Sequence, residues 1–220
     1  EQDGLFDRLF RKHLQNVYQI LGDQPPPELA KPISLGHRHP RLHSEPTGLL
    51  NVKVDGRQTY FEWINAGRYV NQGARGTMAM ASERLVSDLY FGFDRQHLLV
   101  RLDARDGPVR EKLGEIDALR IVFLQPQGFE LSVTEPASRH PVAQLCHNDL
   151  PVAKPDVEVA ADLLFELSVP FRSLALAAEE SIHFCVELLQ DGQPVERIPH
   201  EGAIEATVPS EEYELIMWQA

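Results

Sequence analysis

The run TYFEWINAGRY (59–69) sets Tyr60, Phe61, Trp63 and Tyr69 around the carboxylate of Glu62. Flat aromatic faces beside an acid suit a sugar. The apolar C–H face of a pyranose stacks on a ring, and its hydroxyls donate to the carboxylate. Tyr60, Glu62, Trp63 and Tyr69 are therefore the candidate carbohydrate-binding residues, against the plainer reading of Trp63 as a core or domain-interface residue. In an extended segment Phe61 and Trp63 share one face, and Tyr60 and Glu62 share the other. The loop QGARG (72–76) follows, and its glycines would let a ligand approach the backbone.

Other residues invite other chemistry and answer less well. His37, His39 and His43 lie in HRHPRLH (37–43), with no cysteine or acidic ligand among them and without the spacing of a helical metal site. They read as a solvated basic loop rather than a zinc site. Asp55, Asp94, Asp103 and Asp106 could feed calcium, and DARDG (103–107) has the composition, but ordinary turn chemistry explains it as well. No other cofactor is expected. Cys146 and His147 are neighbours on an expected strand, so their side chains diverge and do not form a thiolate–imidazole pair. The pairs Glu179–Glu180 and Glu211–Glu212 are adjacent in turn-like segments, whereas the paired carboxylates of a glycosidase face each other from separate elements. There is no glycine-rich phosphate loop, no GxSxG and no HExxH. No catalytic residue is expected in this chain.

The elements that would position these residues are mostly strands. VSDLYFGF and HLLVRLDA (86–104) alternate around the turn Asp94–His97, with Leu89, Phe91, Phe93, Leu98, Val100 and Leu102 facing one way. ALRIVFLQ (118–125) and FELSV (129–133) form a second hairpin across Pro126-Gln127-Gly128, read as a type I turn. DLLFELSVP (162–170), SIHFCVELLQ (181–190), PVERI (194–198) and IEATVP (204–209) continue the pattern. LLNVKV (49–54), TMAM (77–80) and YELIMW (213–218) are further expected strands, with Trp218 in the core. Roughly ten short strands separated by turn signals give an all-β antiparallel sandwich, immunoglobulin-like or jelly-roll-like.

The only long helical pattern is LFDRLFRKHLQNVYQILG (5–22), ended by Gly22 and Pro25-Pro26-Pro27. Its stripe predicts burial of Leu9, Phe10, Leu14 and Val17, on the sandwich or on a neighbouring domain. The expected organisation is an N-terminal helix over 1–24, a proline- and histidine-rich connection over 25–47 and a β-sandwich over 48–220.

The chain has 220 residues, is 43% hydrophobic and 25% charged, and carries a net charge of −12. A core of this size needs no metal or disulfide staple. So acidic a chain suits neither nucleic acid, whose phosphates need clustered Lys and Arg, nor an anionic membrane surface. Cys146 and Cys185 make no disulfide framework and read as half-buried free thiols, which points to the cytoplasm. The chain begins at Glu1 rather than Met and is read as a piece of a longer protein.

LYFGFDRQHLLVRLDA, LLFELSVPFRSLAL and HFCVELLQDGQPVERIP are similar to the sugar-binding sandwich group that includes family 9 carbohydrate-binding modules and the C-terminal domain of glucodextranase. LFRKHLQNVYQILG with PPPEL, and VDGRQTYFEWINAGRY, resemble the C-terminal region of certain bacterial family 57 glycoside hydrolases. Those enzymes cut or transfer α-glucans with two carboxylates in an N-terminal barrel, and none of their catalytic motifs is present. The resemblance implies a non-catalytic accessory domain of an α-glucan-active hydrolase. Its partners would be the catalytic domain and an α-glucan or other polysaccharide. The alternative is a purely structural domain that packs on the barrel. A haem-binding relative of the group would have only Met78 and Met80 as ligand-like residues near a loop.

Overall fold

The computed structural model describes residues 2–22, 25, 26, 29, 43–59, 61–71 and 84–213. The chain divides into two compact units, 1–42 and 43–220. The first holds α1 (Gln2–Leu21), where Arg11 Nη1 and Gln15 Nε2 reach the carbonyl of Leu29 at 3.5 and 3.4 Å. Within its own unit the apolar stripe is only partly covered, and the alternative of a neighbouring domain as its partner stays open. Phe10 is 45% exposed and Val17 37% exposed, Leu14 is half-buried, and the side chain of Leu9 lies outside the described residues. Changing Phe10 to Ala should therefore cost less than a fully buried Phe would. Thermal unfolding of the variant checks this; a loss near the roughly 3–5 kcal/mol of a buried Phe would mean that the ring is packed.

The second unit is an antiparallel β-sandwich. Among the described residues its strands are β1 (His43–Ser44), β2 (Gly67–Val70), β3 (Val86–Phe93), β4 (His97–Ala104), β5 (Ala118–Gln125), β6 (Phe129–Thr134) and β7 (Val142–His147). They continue with β8 (Leu150–Pro151), β9 (Glu158–Ala161), β10 (Phe165–Pro170), β11 (Ser181–Gln190), β12 (Gln193–Ile198) and β13 (Ile204–Thr207). A short helix α2 (Val109–Lys112) leads from β4 toward β5. Sheet A has the order β1-β2-β3-β4-β10-β9, and sheet B the order β12-β11-β5-β6-β7-β8, with β13 also on β11. The chain builds most of A, crosses to B, and returns to each sheet once more. The sandwich begins at His43, earlier than the expected 48, because β1 pairs with β2.

The expected hairpins form where alternation is strict. β3 and β4 pair from Phe93–Leu98 outward, so Leu89, Phe91, Val100 and Leu102 fall on one face. That face meets Leu119, Ile121, Phe123 and Leu131 of sheet B, together with Ile182, Phe184, Val186 and Leu188, in one core. A row of rings crosses it. His43 meets Phe91 edge-on at 5.2 Å, Phe91 meets Phe184 at 6.3 Å, and Phe184 meets Phe123 at 6.3 Å. His43 Nε2 donates to the Glu205 carbonyl at 3.0 Å and so ties β1 of one sheet to β13 of the other.

Two strand expectations do not hold. Residues 49–54 take no ladder; Leu50 makes a single backbone bond to the Phe93 carbonyl, at 2.7 Å. Residues 61–65 form a turn, and the strand starts only at Gly67. Together 45–59 and 61–66 make a strap across the outer face of sheet A. Leu50 and Trp63 close on Leu99 there, in a second small apolar cluster. The strands expected at 77–80 and 213–218 fall on residues that are wholly or almost wholly outside the described ones.

Candidate functional site

The three candidate residues that are described, Glu62, Trp63 and Tyr69, do not come together on one surface. Tyr69 lies on β2, is 8% exposed, and faces the core between the sheets. Trp63 is 5% exposed and lies on the other side of sheet A, under the strap. Glu62 is half-buried and accepts from the Thr59 hydroxyl. Tyr60 lies outside the described residues. The parity argument assumed an extended chain, and the turn at 61–65 removes it. That turn leaves Phe61 and Ile64 facing solvent instead, 77% and 59% exposed.

Trp63 is held by a carboxylate in the sheet beneath it. Its Nε1 donates to Glu166 Oε1 at 2.9 Å, and the amides of Gly56 and Asp55 donate to Oε2 at 2.9 and 3.1 Å. Glu166 is fully buried on β10, beside Arg101 in the register. The Arg101 guanidinium lies 5.9 Å from the Trp63 ring and 4.7 Å from the Tyr90 ring, and pairs with Asp103 at 2.6 and 2.7 Å. A cation over an indole face and a neutralising acid at its other end suit a buried arginine. Gly56 has φ +73°, and a Cβ there would meet the Asp162 amide nitrogen at 2.8 Å, so only glycine lets the strap pass this close. Burial pushes the Glu166 carboxyl above the ordinary glutamate value, against the three hydrogen bonds that favour the ion. The outer face of sheet A is thus a lock for the strap.

A comparable clamp joins the sheets at the start of β3. Glu196 on β12 accepts from the Leu85 amide at 2.8 Å and from Asn71 Nδ2 at 2.7 Å. Burial likewise raises its carboxyl above the usual value.

The open chemistry lies at one end of the sandwich. A cleft of about 800 Å³ has an apolar floor that includes Leu49, Pro170, Phe171, Leu176 and Val208, and a rim that includes Arg95, Gln96, His97, Arg172, Ser210 and Glu211. The β3–β4 turn supplies one wall. Asp94 Oδ1 accepts from the amides of Gln96 and His97 at 2.7 and 2.6 Å, and His97 Nδ1 lies 2.8 Å from Asp94 Oδ2. The short turn after β10 supplies Phe171 and Arg172, the latter paired with Asp156. The wall after β13 is tied down by Tyr213, whose hydroxyl donates to the Pro46 carbonyl at 3.1 Å. Sequence reasoning found the Asp94 turn but not the cleft, because its walls are distant in the chain. The one local signal was an acid and a histidine three residues apart across a tight turn.

The remaining expectations find these places. Asp94 and Asp103 are engaged as described, and Asp55 accepts from the Arg57 amide at 3.1 Å. Burial works to raise the Asp55 carboxyl, but that amide and the Lys53 ammonium win and hold it below the usual value. Among the described residues no three His, Cys, Asp or Glu side chains are grouped to hold a metal ion. His37, His39, Met78 and Met80 lie outside the described residues. Cys146 is half-buried and free; Cys185 is buried and free, and burial raises its thiol. Glu180 accepts from the Ala177 amide at 2.8 Å in its own turn. Among the described residues no helix is long and apolar enough to cross a membrane. No family model matches the chain, and no curated protein matches it.

Proposed function

We propose that this chain is a non-catalytic accessory domain of an α-glucan-active glycoside hydrolase, and that it holds glucan in the cleft at the end of the sandwich. The make-up of that cleft carries the reading: an apolar floor with Pro170 and Phe171, ringed by the planar polar groups of Arg95, Gln96, His97 and Arg172. A pyranose has the matching shape, with C–H faces for the floor and hydroxyls for the rim, and a concave site with few convergent polar groups is what small ligands use. The resemblance to sugar-binding sandwiches supports the choice of ligand. The buried Trp63 moves the proposed site away from the aromatic run and onto this end.

Affinity should be modest, with a dissociation constant on the order of 10 μM to 1 mM. Titration calorimetry with maltoheptaose tests it. Wild type should bind, and Arg95→Ala or Gln96→Ala should weaken binding about tenfold, the worth of one or two hydrogen bonds. No binding by wild type would overturn the reading. It would favour the structural alternative, a domain that packs on the catalytic barrel, for which the exposed Phe61 and Ile64 offer an apolar contact.

A further inference from the structure

Resting on the reading of the end cleft as a glucan site, we propose that His97 is its specificity-determining residue. When its imidazole is neutral with the proton on Nδ1, its Nε2, which bonds no described residue, accepts a hydrogen bond from a free hydroxyl of a vicinal diol. The argument starts from Asp94. Two turn amides fix its carboxylate, at 2.7 and 2.6 Å, and His97 Nδ1 lies 2.8 Å from Oδ2 and 3.0 Å from Oδ1. An ionised carboxylate only accepts, so Nδ1 carries the ring proton. In the neutral imidazole Nε2 is then an acceptor, and the Asp94 carboxylate fixes both tautomer and ring direction. This matters because the guanidiniums of Arg95 and Arg172 on the same rim can only donate. A sugar hydroxyl can serve both at once: its oxygen accepts from a guanidinium while its proton goes to Nε2. Two neighbouring hydroxyls spaced as on a pyranose satisfy donors and acceptor together. An O-methylated or O-acetylated sugar has no proton to give and leaves the nitrogen unpaired, so the cleft selects unsubstituted glucan.

Two measurements on the full chain test this. Long-range ¹H–¹⁵N NMR at about pH 8, where an imidazole is neutral, should show the Nδ1–H tautomer for His97, and Asp94→Asn should shift it toward Nε2–H. Calorimetry should show Asp94→Asn and His97→Leu each weakening maltoheptaose binding about tenfold. His97→Gln, which keeps an acceptor, should recover part of that loss, and permethylated maltoheptaose should not bind. An Nε2–H tautomer in wild type overturns the proposal even if glucan binds. So does equal affinity of a folded Asp94→Asn variant, or unchanged binding of the methylated sugar. Absence of any binding by wild type overturns the glucan reading itself and takes this inference with it.

Discussion

Truncating Glu166 to alanine should destabilise the sandwich by about 3–5 kcal/mol, the range for breaking a buried, charge-bearing network by removing one partner. The carboxylate answers three donors: the amides of Asp55 and Gly56 and the indole of Trp63, all within 3.1 Å. Hydrogen bonds to a charged group contribute about 1.5–3 kcal/mol each, and strap relaxation keeps their sum from being additive. Trp63→Phe keeps a ring and drops one donor, so it should cost less, about 1–3 kcal/mol. Denaturant unfolding of both variants decides the matter; a Glu166→Ala loss below about 1 kcal/mol would show that the strap is not locked there. The pH dependence has a definite sign. Burial raises the folded value of Glu166 above its ordinary 4.5. The native state therefore holds that proton more tightly than the unfolded chain. The resulting stability is fully present below 4.5 and is lost as pH rises through the raised value. The stability of wild type relative to Glu166→Gln should accordingly fall as pH climbs from 4 toward neutrality. A rise instead would mean that the hydrogen bonds outweigh burial.

A second large effect is expected in the aromatic row of the core. Phe184 is fully buried between Phe91 and Phe123, with centroids 6.3 Å away on each side. Phe184→Ala should cost about 3–5 kcal/mol, and Phe184→Leu distinctly less because most of the volume stays. Phe91 cannot swing into the space. It is pinned by His43, and Gly67 lies so close that a Cβ there would meet Phe91 Cζ at 2.5 Å. The cavity should therefore persist, and Phe91→Ala combined with Phe184→Ala should be non-additive, as touching residues are. Equilibrium unfolding of the two single variants and the double gives the coupling. Strict additivity would mean that the rings do not work as one row.

Strands with clean alternation were legible because one face of each is apolar and meets the core. VSDLYFGFDRQHLLVRLDA is the clearest case, and its turn falls where Asp94 predicts. FELSVP was read as alternating too, and its ladder is as expected, yet all six of its residues are buried. The strap covers Glu166, so a polar residue facing outward did not mean a residue facing water. The strap itself misled in the opposite way. Leu50 and Val52 alternate with polar residues like a strand, but they pack on a sheet rather than joining one. Trp63 carried a strong chemical signal that belonged to packing, because an indole satisfies an internal carboxylate as readily as it would stack on a sugar. Of the end cleft only the wall around Asp94 and His97 could be read, since the other walls come from residues near 49, 171 and 209 that only the fold brings together.

The strap over sheet A gives this molecule two tiers of opening. Lifting it would break the Leu50–Phe93 and Leu164–Gly56 backbone bonds and the three on Glu166, and would uncover Leu99, while the rows between the two sheets stayed closed. Excursions of that kind need only a part of the global unfolding free energy. The outer layer is therefore expected to open at a lower cost than the sandwich beneath it. It is where a protease would first nick the folded unit, and where a longer loop could be spliced in with least harm to the core beneath.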